Sequence, residues 1–415
     1  MRALAGTWLQ PSAFFALCWC FAGILPLIAT PSDPVGVNAI VWLLAASIAF
    51  SIGALIGNGG FKTKRLAKPS PPTDREVAVF TLVCLVALIL GMGSNVAFVA
   101  GTPGISFADI IDIQRLVVAS NQAYFARYAE TGAAPAPRIS QALLPFVYLA
   151  PATGGVIFAL KRGWKYKILG ILSYLPAIAV TILQTTKAAL LFAITVWLSS
   201  YFATRLRQGK LAVFTRAHVF TALGVGATIA VFFFAVTLAR LATTDVTLIN
   251  IVYDKLASAA FGHMTVFSHW LADYVASPFS PSLGKVTLAG PLELLGFGQR
   301  IPGLFESLVD LATGETSNIY TAFRPLIQDF TIPGALAILA MVGVVGGVGF
   351  RLVAAGKWSA LPLLLIAYVT ILWTPITWFW LYNSLTATVL ATGIIVLLIR
   401  VWRGNAGRQL PEGLN

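Results

Sequence analysis

The chain is 415 residues long, 58% hydrophobic and only 10% charged, with a mean hydropathy of +0.84. A soluble fold of that length cannot hide so much apolar surface, so the composition excludes a cytosolic globular protein and points to one embedded in a membrane. The net charge of +13 is spread through short segments between apolar runs rather than gathered on one face, so it carries topology information and gives no reason to expect nucleic acid as a partner.

In chain order, apolar runs long enough to cross a hydrocarbon core as helices fall at 12–30, 36–57, 77–99, 139–160, 168–183, 188–204, 217–239, 331–353, 358–380 and 382–401. The first lacks a following A-x-A cleavage site and is succeeded at once by a second run, so it reads as an anchor rather than a signal peptide. The stretch from 168 to 204 is too long for one crossing, and Gln184-Thr-Thr-Lys187 is the natural hairpin within it. Placing the first residue inside puts Lys62, Lys64, Arg65, Lys68 and Arg75 in one inner loop. Lys161, Arg162, Lys165 and Lys167 fall in the next, and Arg205, Arg207, Lys210 and Arg216 in a third. Arg351, Lys357, Arg400, Arg403 and Arg408 follow the same pattern, whereas the inner acids are only Asp74, Glu76 and Glu412. This bias predicts an all-α polytopic membrane protein, a single domain over 1–415, of about ten transmembrane helices with both termini cytoplasmic. Two long loops, 100–138 and 240–330, lie on the opposite side with most of the acids, and chemistry is expected there.

The first outer loop opens with Ser106-Phe-Ala-Asp109, a capping-box-like start to a helix carrying Asp112 and Arg115. The second begins with a helical pattern over about 245–276, turns irregular through 277–303, and offers a short helix near 305–311. It ends in Thr316 to Gly334, TSNIYTAFRPLIQDFTIPG, which brings Asn318, Tyr320, Arg324 and Asp329 to the mouth of the eighth run. Pro325 disfavours the helical region for Arg324, so this guanidinium is expected on irregular backbone.

Cations at the outer ends of spans run against the positive-inside bias. Lys187, Arg240, Arg324 and Arg115 together could clamp a diphosphate at the membrane surface; each singly could also snorkel to headgroups or pair locally, as Asp112 and Arg115 can at i,i+3. His269 and Asp273 are i,i+4, a spacing that lets a carboxylate orient an imidazole base and that equally describes a surface pair. Asp329 reads either as a base or as a charge favoured by the dipole of the eighth span. Glu306 and Asp310 share a face in the way solvated carboxylates often do. His263, Asp109 and Asp112 have spacings that fit no metal motif, and no metal is expected. Cys18, Cys20 and Cys84 fall inside apolar runs and read as packing residues. Trp373, Trp378, Trp380 and Tyr382 suit an interfacial belt, and Gly343, Gly346, Gly347 and Gly349 suit close helix packing.

Asn318-Ile-Tyr-Thr321, running through Arg324 to Asp329-Phe330 and a Gly-containing span, resembles the oligosaccharide repeat-unit (O-antigen) polymerases of the bacterial inner membrane. The hairpin Gln184-Thr-Thr-Lys187-Ala-Ala-Leu-Leu and the large penultimate outer loop share that layout, with Lys187 where relatives often carry Arg. The resemblance implies a multi-pass inner-membrane glycosyltransferase whose long loops are periplasmic. It would move a growing glycan from undecaprenyl pyrophosphate onto a sugar hydroxyl of the next lipid-linked repeat unit, with inversion and without a nucleotide cofactor. Donor and acceptor lipids are then the partners, and a chain-length regulator and a flippase could act alongside. A ligase that delivers the finished glycan to another acceptor is the nearest alternative. A flippase is the alternative from another class, although long outer loops and few ionisable groups within the runs speak against it.

Overall fold

The computed structural model of the chain describes residues 7–29, 34–60, 72–102, 104–109, 112, 115–116, 118–119, 122, 137–160, 163–184, 186–209, 216–240, 249–278, 280–297, 309–311, 314 and 316–406. Its helices are α1 (Pro11–Ala29), α2 (Val37–Asn58), α3 (Asp74–Gly101), α4 (Arg138–Leu160), α5 (Trp164–Leu172), α6 (Leu175–Leu183) and α7 (Ala188–Arg207). They continue as α8 (Arg216–Arg240), α9 (Ile249–Phe261), α10 (His263–Ala276), α11 (Ala289–Leu294), α12 (Phe323–Ala354), α13 (Leu361–Trp373) and α14 (Asn383–Ala406). Two-residue strands, β1 (Val309–Asp310) and β2 (Thr316–Ser317), pair antiparallel with Val309 opposite Ser317. Among the described residues, six helical segments are long and apolar enough to cross a membrane: α2, α3, α4, α5 with α6, α7 and α12. Shorter apolar helices lie at Pro11–Pro26, Gly226–Leu238, Trp358–Trp373 and Asn383–Leu397. The chain is an all-α membrane protein.

The exterior explains why the helices are apolar all round. On α2, Val37, Ile40, Val41, Leu44, Ile48, Ile52 and Ile56 are exposed, whereas Ala39, Trp42, Ala46, Phe50, Gly53, Ala54 and Gly57 are buried. Polarity does not distinguish the two faces; side-chain shape does. Branched aliphatics face outward, while glycines, alanines and two aromatic rings, Trp42 and Phe50, face inward, as expected where lipid replaces water. A Cβ at Gly53 would sit 1.9 Å from the Ala340 carbonyl oxygen, and one at Gly343 only 2.2 Å from that of Phe50, so α2 and α12 touch backbone to backbone.

The run at 168–183 is one helical path broken at Ser173 and Tyr174, with Pro176 in the first turn of α6. The break loosens carbonyls that hydrocarbon cannot solvate, and neighbours take them. Trp197 Nε1 and Ser173 Oγ donate to the Gly170 carbonyl at 3.0 and 2.8 Å, and Asn95 Nδ2 donates to that of Pro176 at 3.1 Å.

The bundle has two distinct ends. At one, Thr73 and Glu76 form a capping box on α3, and the Glu76 carboxylate lies 3.6 Å from Arg207 Nη2 at the close of α7. The Arg207 guanidinium stands 4.2 Å over the Trp358 ring, and both charged side chains are only 1% exposed. At the other end, the first turns of α2 grip α10. The Gly36 N–H donates to Ser268 Oγ at 3.0 Å, and Asn38 Nδ2 donates to the Ser268 carbonyl at 3.1 Å.

Three local expectations are corrected. The helical pattern over 245–276 divides at Gly262, where a Cβ would crowd the Ser258 carbonyl at 2.6 Å. Of the expected short helix at 305–311, residues 305–308 lie outside the described residues, and Val309–Asp310 are strand because they pair with Thr316–Ser317. Arg324 is helical, not irregular: Pro325 is tolerated in the first turn of α12, where its missing N–H has no helical partner to lose, and the anchored start at Ala322 and Phe323 overrides its bias on the preceding residue.

Candidate functional site

The stretch from Thr316 to Gly334 does not lie on the surface. Tyr320, Thr321, Ala322, Phe323, Leu326, Ile327 and Asp329 are all buried. Phe323 is the anchor: its ring stacks on Trp19 at 4.8 Å, meets Trp42 edge-on at 5.8 Å and lies 5.6 Å from Phe267. The Ala322 N–H donates to the Thr374 carbonyl at 2.8 Å, which fixes the start of α12 to the end of α13. The first eight residues of α12, Phe323–Phe330, form a short helix that ends at Thr331, where φ is 62° and ψ 178°. Thr321 on its other side has φ 63°. Two β-branched residues in this region cost about 1–3 kcal/mol each, a strain that only firm surroundings can hold.

Arg324 is carried on that short helix and is partly exposed. Its guanidinium lies 3.9 Å over the Tyr320 ring and 5.4 Å over the Trp270 ring of α10. Aromatic faces on a desolvated flank hold a cation in one orientation. Asn318, two residues before Tyr320, is exposed. On α10, His269 and Asp273 occupy the exposed face, while Trp270 and Tyr274 on the opposite face are buried and stacked at 5.4 Å. The grip of Gly36 and Asn38 on Ser268 therefore sets His269 as well as Trp270. The structure brings Arg324, Tyr320 and Trp270 together at the junction of α10 with α12, and α10 carries His269 and Asp273 on its exposed face.

Asp329 has a different position from either role weighed for it. Its carboxylate is fully buried and accepts from the segment 282–287. The donors are the Ser282 hydroxyl, the Val286 N–H (3.1 Å to Oδ2), the Thr287 N–H (2.5 Å) and the Thr287 hydroxyl (2.7 Å). The backbone repeats the join, since Ser282 and Leu283 donate to the carbonyls of Gln328 and Asp329 at 3.2 and 3.0 Å. A carboxylate so enclosed holds a loop; it is not presented to a substrate hydroxyl.

The other expected cations are less closely gathered. Lys187 precedes the first turn of α7, and that helix reaches the site only indirectly, as Phe192 stacks on Trp373 at 3.8 Å beside Thr374. The Arg115 side chain is 75% exposed and pairs with Asp112 at 3.3 Å. It borders a hollow of about 280 Å³ lined also by Gly104, Asp109, Val118, Ala119 and Gln122. Nearby, Asp109 accepts from the Ser106 hydroxyl at 2.7 Å and N–H at 2.8 Å, which holds its carboxyl below the usual range. Arg240 ends α8, and its side chain lies outside the described residues. Glu306 lies outside them too, and Asp310 is exposed on β1. His263 is buried beside Trp19, its Nδ1 3.2 Å from the Ala260 carbonyl. Among the described residues no three His, Cys, Asp or Glu side chains gather as a metal site.

Sequence reasoning missed Trp270, Ser282, Thr287 and Thr331. Hydroxyl residues in the Ser282-Leu-Gly-Lys-Val-Thr287 turn, opposite a lone buried acid, were the available signal. Compared with known proteins, the chain matches no protein-family model, no curated protein and no solved structure.

Proposed function

We propose that this protein is a membrane glycosyltransferase that polymerises undecaprenyl-pyrophosphate-linked oligosaccharide repeat units into O-antigen or a related polysaccharide. In this reading the chain crosses a bacterial inner membrane ten times, and the junction of α10 with α12 faces the periplasm. The observation that carries the proposal is the partly exposed Arg324 guanidinium, held on Tyr320 and on Trp270 of α10, the helix that also carries the exposed His269 and Asp273. Nucleotide sugars are absent outside the inner membrane, so glycosyl transfer there needs a lipid-linked donor. Its diphosphate leaving group is an anion that a stacked guanidinium suits.

His269 takes the proton of the acceptor hydroxyl, and Asp273, one turn on, orients the imidazole. The acceptor oxygen attacks the anomeric carbon as the bond from that carbon to the diphosphate oxygen breaks, and the configuration inverts. Arg324 stabilises the departing undecaprenyl pyrophosphate, with Asn318 at the sugar and Tyr320 beneath the cation. Lys187, Arg240 and Arg115 draw the anionic lipid to the same surface.

The test is a reconstituted reaction: purified protein with undecaprenyl-pyrophosphate-linked repeat units, products resolved on a gel. A ladder of glycans that disappears in folded Arg324→Ala and His269→Ala supports the proposal. A single transfer to another lipid acceptor would make the protein a ligase, and movement of lipid-linked units between leaflets without new glycosidic bonds would make it a flippase.

A further inference from the structure

The short helix Phe323–Phe330 is held at both ends by groups distant in sequence. Its start is tied to α13 through Ala322 and Thr374. Its far end is tied to the segment 282–287 through both oxygens of Asp329. Positive-φ threonines stand on either side, and Leu283, within the tied segment, has φ 52°. Arg324 is five residues, about 7.5 Å of helical rise, from Asp329. A backbone strained at both boundaries would relax by turning or sliding the helix between them, and the join at Asp329 opposes that. The guanidinium reaches its place on Tyr320 and Trp270 only while this helix keeps its rotation.

We propose that Asp329, with Ser282 and Thr287, is a latch that positions Arg324 for an anionic diphosphate, and that Asp329 itself does not touch substrate. This rests on the reading of Arg324 as a diphosphate-binding group. The latch is specific for a carboxylate. Four donors converge on its two oxygens, whereas an amide would aim its own N–H groups at some of them. Loss of the latch should loosen segments 280–288 and 320–331 together, although they are far apart in sequence.

The experiment uses the full-length protein in lipid nanodiscs with undecaprenyl pyrophosphate as probe. Hydrogen exchange by mass spectrometry reports the latch, and probe titration reports the anion site. Asp329→Asn and Thr287→Val should speed exchange in both segments and weaken probe binding about tenfold, while Thr287→Ser, which keeps the hydroxyl, should behave as the parent. Combined with Arg324→Ala, Asp329→Asn should weaken binding no further than Arg324→Ala alone, a coupling that a general loss of stability would not produce. Unchanged exchange in Asp329→Asn overturns the latch, as does faster exchange with parental probe affinity. If Arg324→Ala binds the probe normally while Asp329→Asn still loosens both segments, the diphosphate site is what fails, and with it the positioning role.

Discussion

Glu76→Ala offers a test of how the opposite end of the bundle is held. Glu76 and Arg207 are each 1% exposed, and Arg207 is further enclosed by the Trp358 ring and by the Gly356 carbonyl, 3.4 Å from Nε. A guanidinium so placed cannot return to water without opening the ends of α3, α7 and α12. Removing the carboxylate therefore leaves a buried charge without its counter-ion, a change that costs about 3–5 kcal/mol. The variant also loses the Glu76 half of the capping box, where the Thr73 N–H donates to Oε2 at 2.9 Å, for about 1 kcal/mol more. Thr73→Ala serves as the internal control. It removes the hydroxyl that accepts from the Glu76 N–H at 3.3 Å but keeps the ion pair, so it should cost about 1 kcal/mol. The assay is unfolding by SDS titration in mixed micelles, followed by tryptophan fluorescence. The double variant Glu76→Ala with Arg207→Met should recover most of the loss, because an apolar chain of similar reach tolerates burial where a lone cation does not. If Glu76→Ala costs no more than Thr73→Ala, or if the two losses add in the double variant, the buried pair does not hold this end.

Other outcomes follow from the same contacts. Gly343→Leu should prevent α2 and α12 from meeting and abolish folded yield in size-exclusion chromatography, because a Cβ alone would press 2.2 Å from a carbonyl oxygen. Thr331→Gly should fold with stability within about 1 kcal/mol of the parent, since relieved strain offsets the entropy of glycine, whereas Thr331→Pro cannot reach φ 62° and should not fold. Asp109 has a carboxyl held low by Ser106, so its contribution is present above the unfolded carboxylate range and is lost as pH falls through the lower folded value. Hydrogen exchange at 104–109 should therefore rise on acidification, and Asp109→Asn should flatten that response.

The helices were legible because each apolar run is a local signal, and the small residues of the eighth run announced the close approach that Gly343 makes to α2. The end of one helix at Leu183 and the start of the next at Ala188 were visible for the same reason. The site was legible only in part. Arg324, Tyr320 and Asn318 stood out as polar groups at the mouth of a span, but the second ring that flanks Arg324 is Trp270, supplied by a different helix. Asp329 looked available because nothing near it in sequence could occupy it; the four donors lie more than forty residues upstream. Pro325 misled because the bias a proline places on the residue before it is a preference that the anchored start of α12, at Ala322 and Phe323, overrides. The strand pair at 309–317 is too short to leave any periodic mark.

The contact between the Tyr368 hydroxyl and the Leu9 carbonyl, at 2.5 Å and separated by 359 residues, sets the order of biogenesis. At about 5–20 residues per second, the ribosome needs about 20–70 s to deliver the second partner after the first. Throughout that time Trp19 on α1 and Trp42 and Gly53 on α2 are turned toward Phe323 and Ala340 of α12, which has not been made. Lipid must cover that surface first and be squeezed out when α12 and α13 arrive. Assembly of this protein is thus a late displacement of lipid by protein, and substitutions on α12 should be read first as failures of insertion to mature.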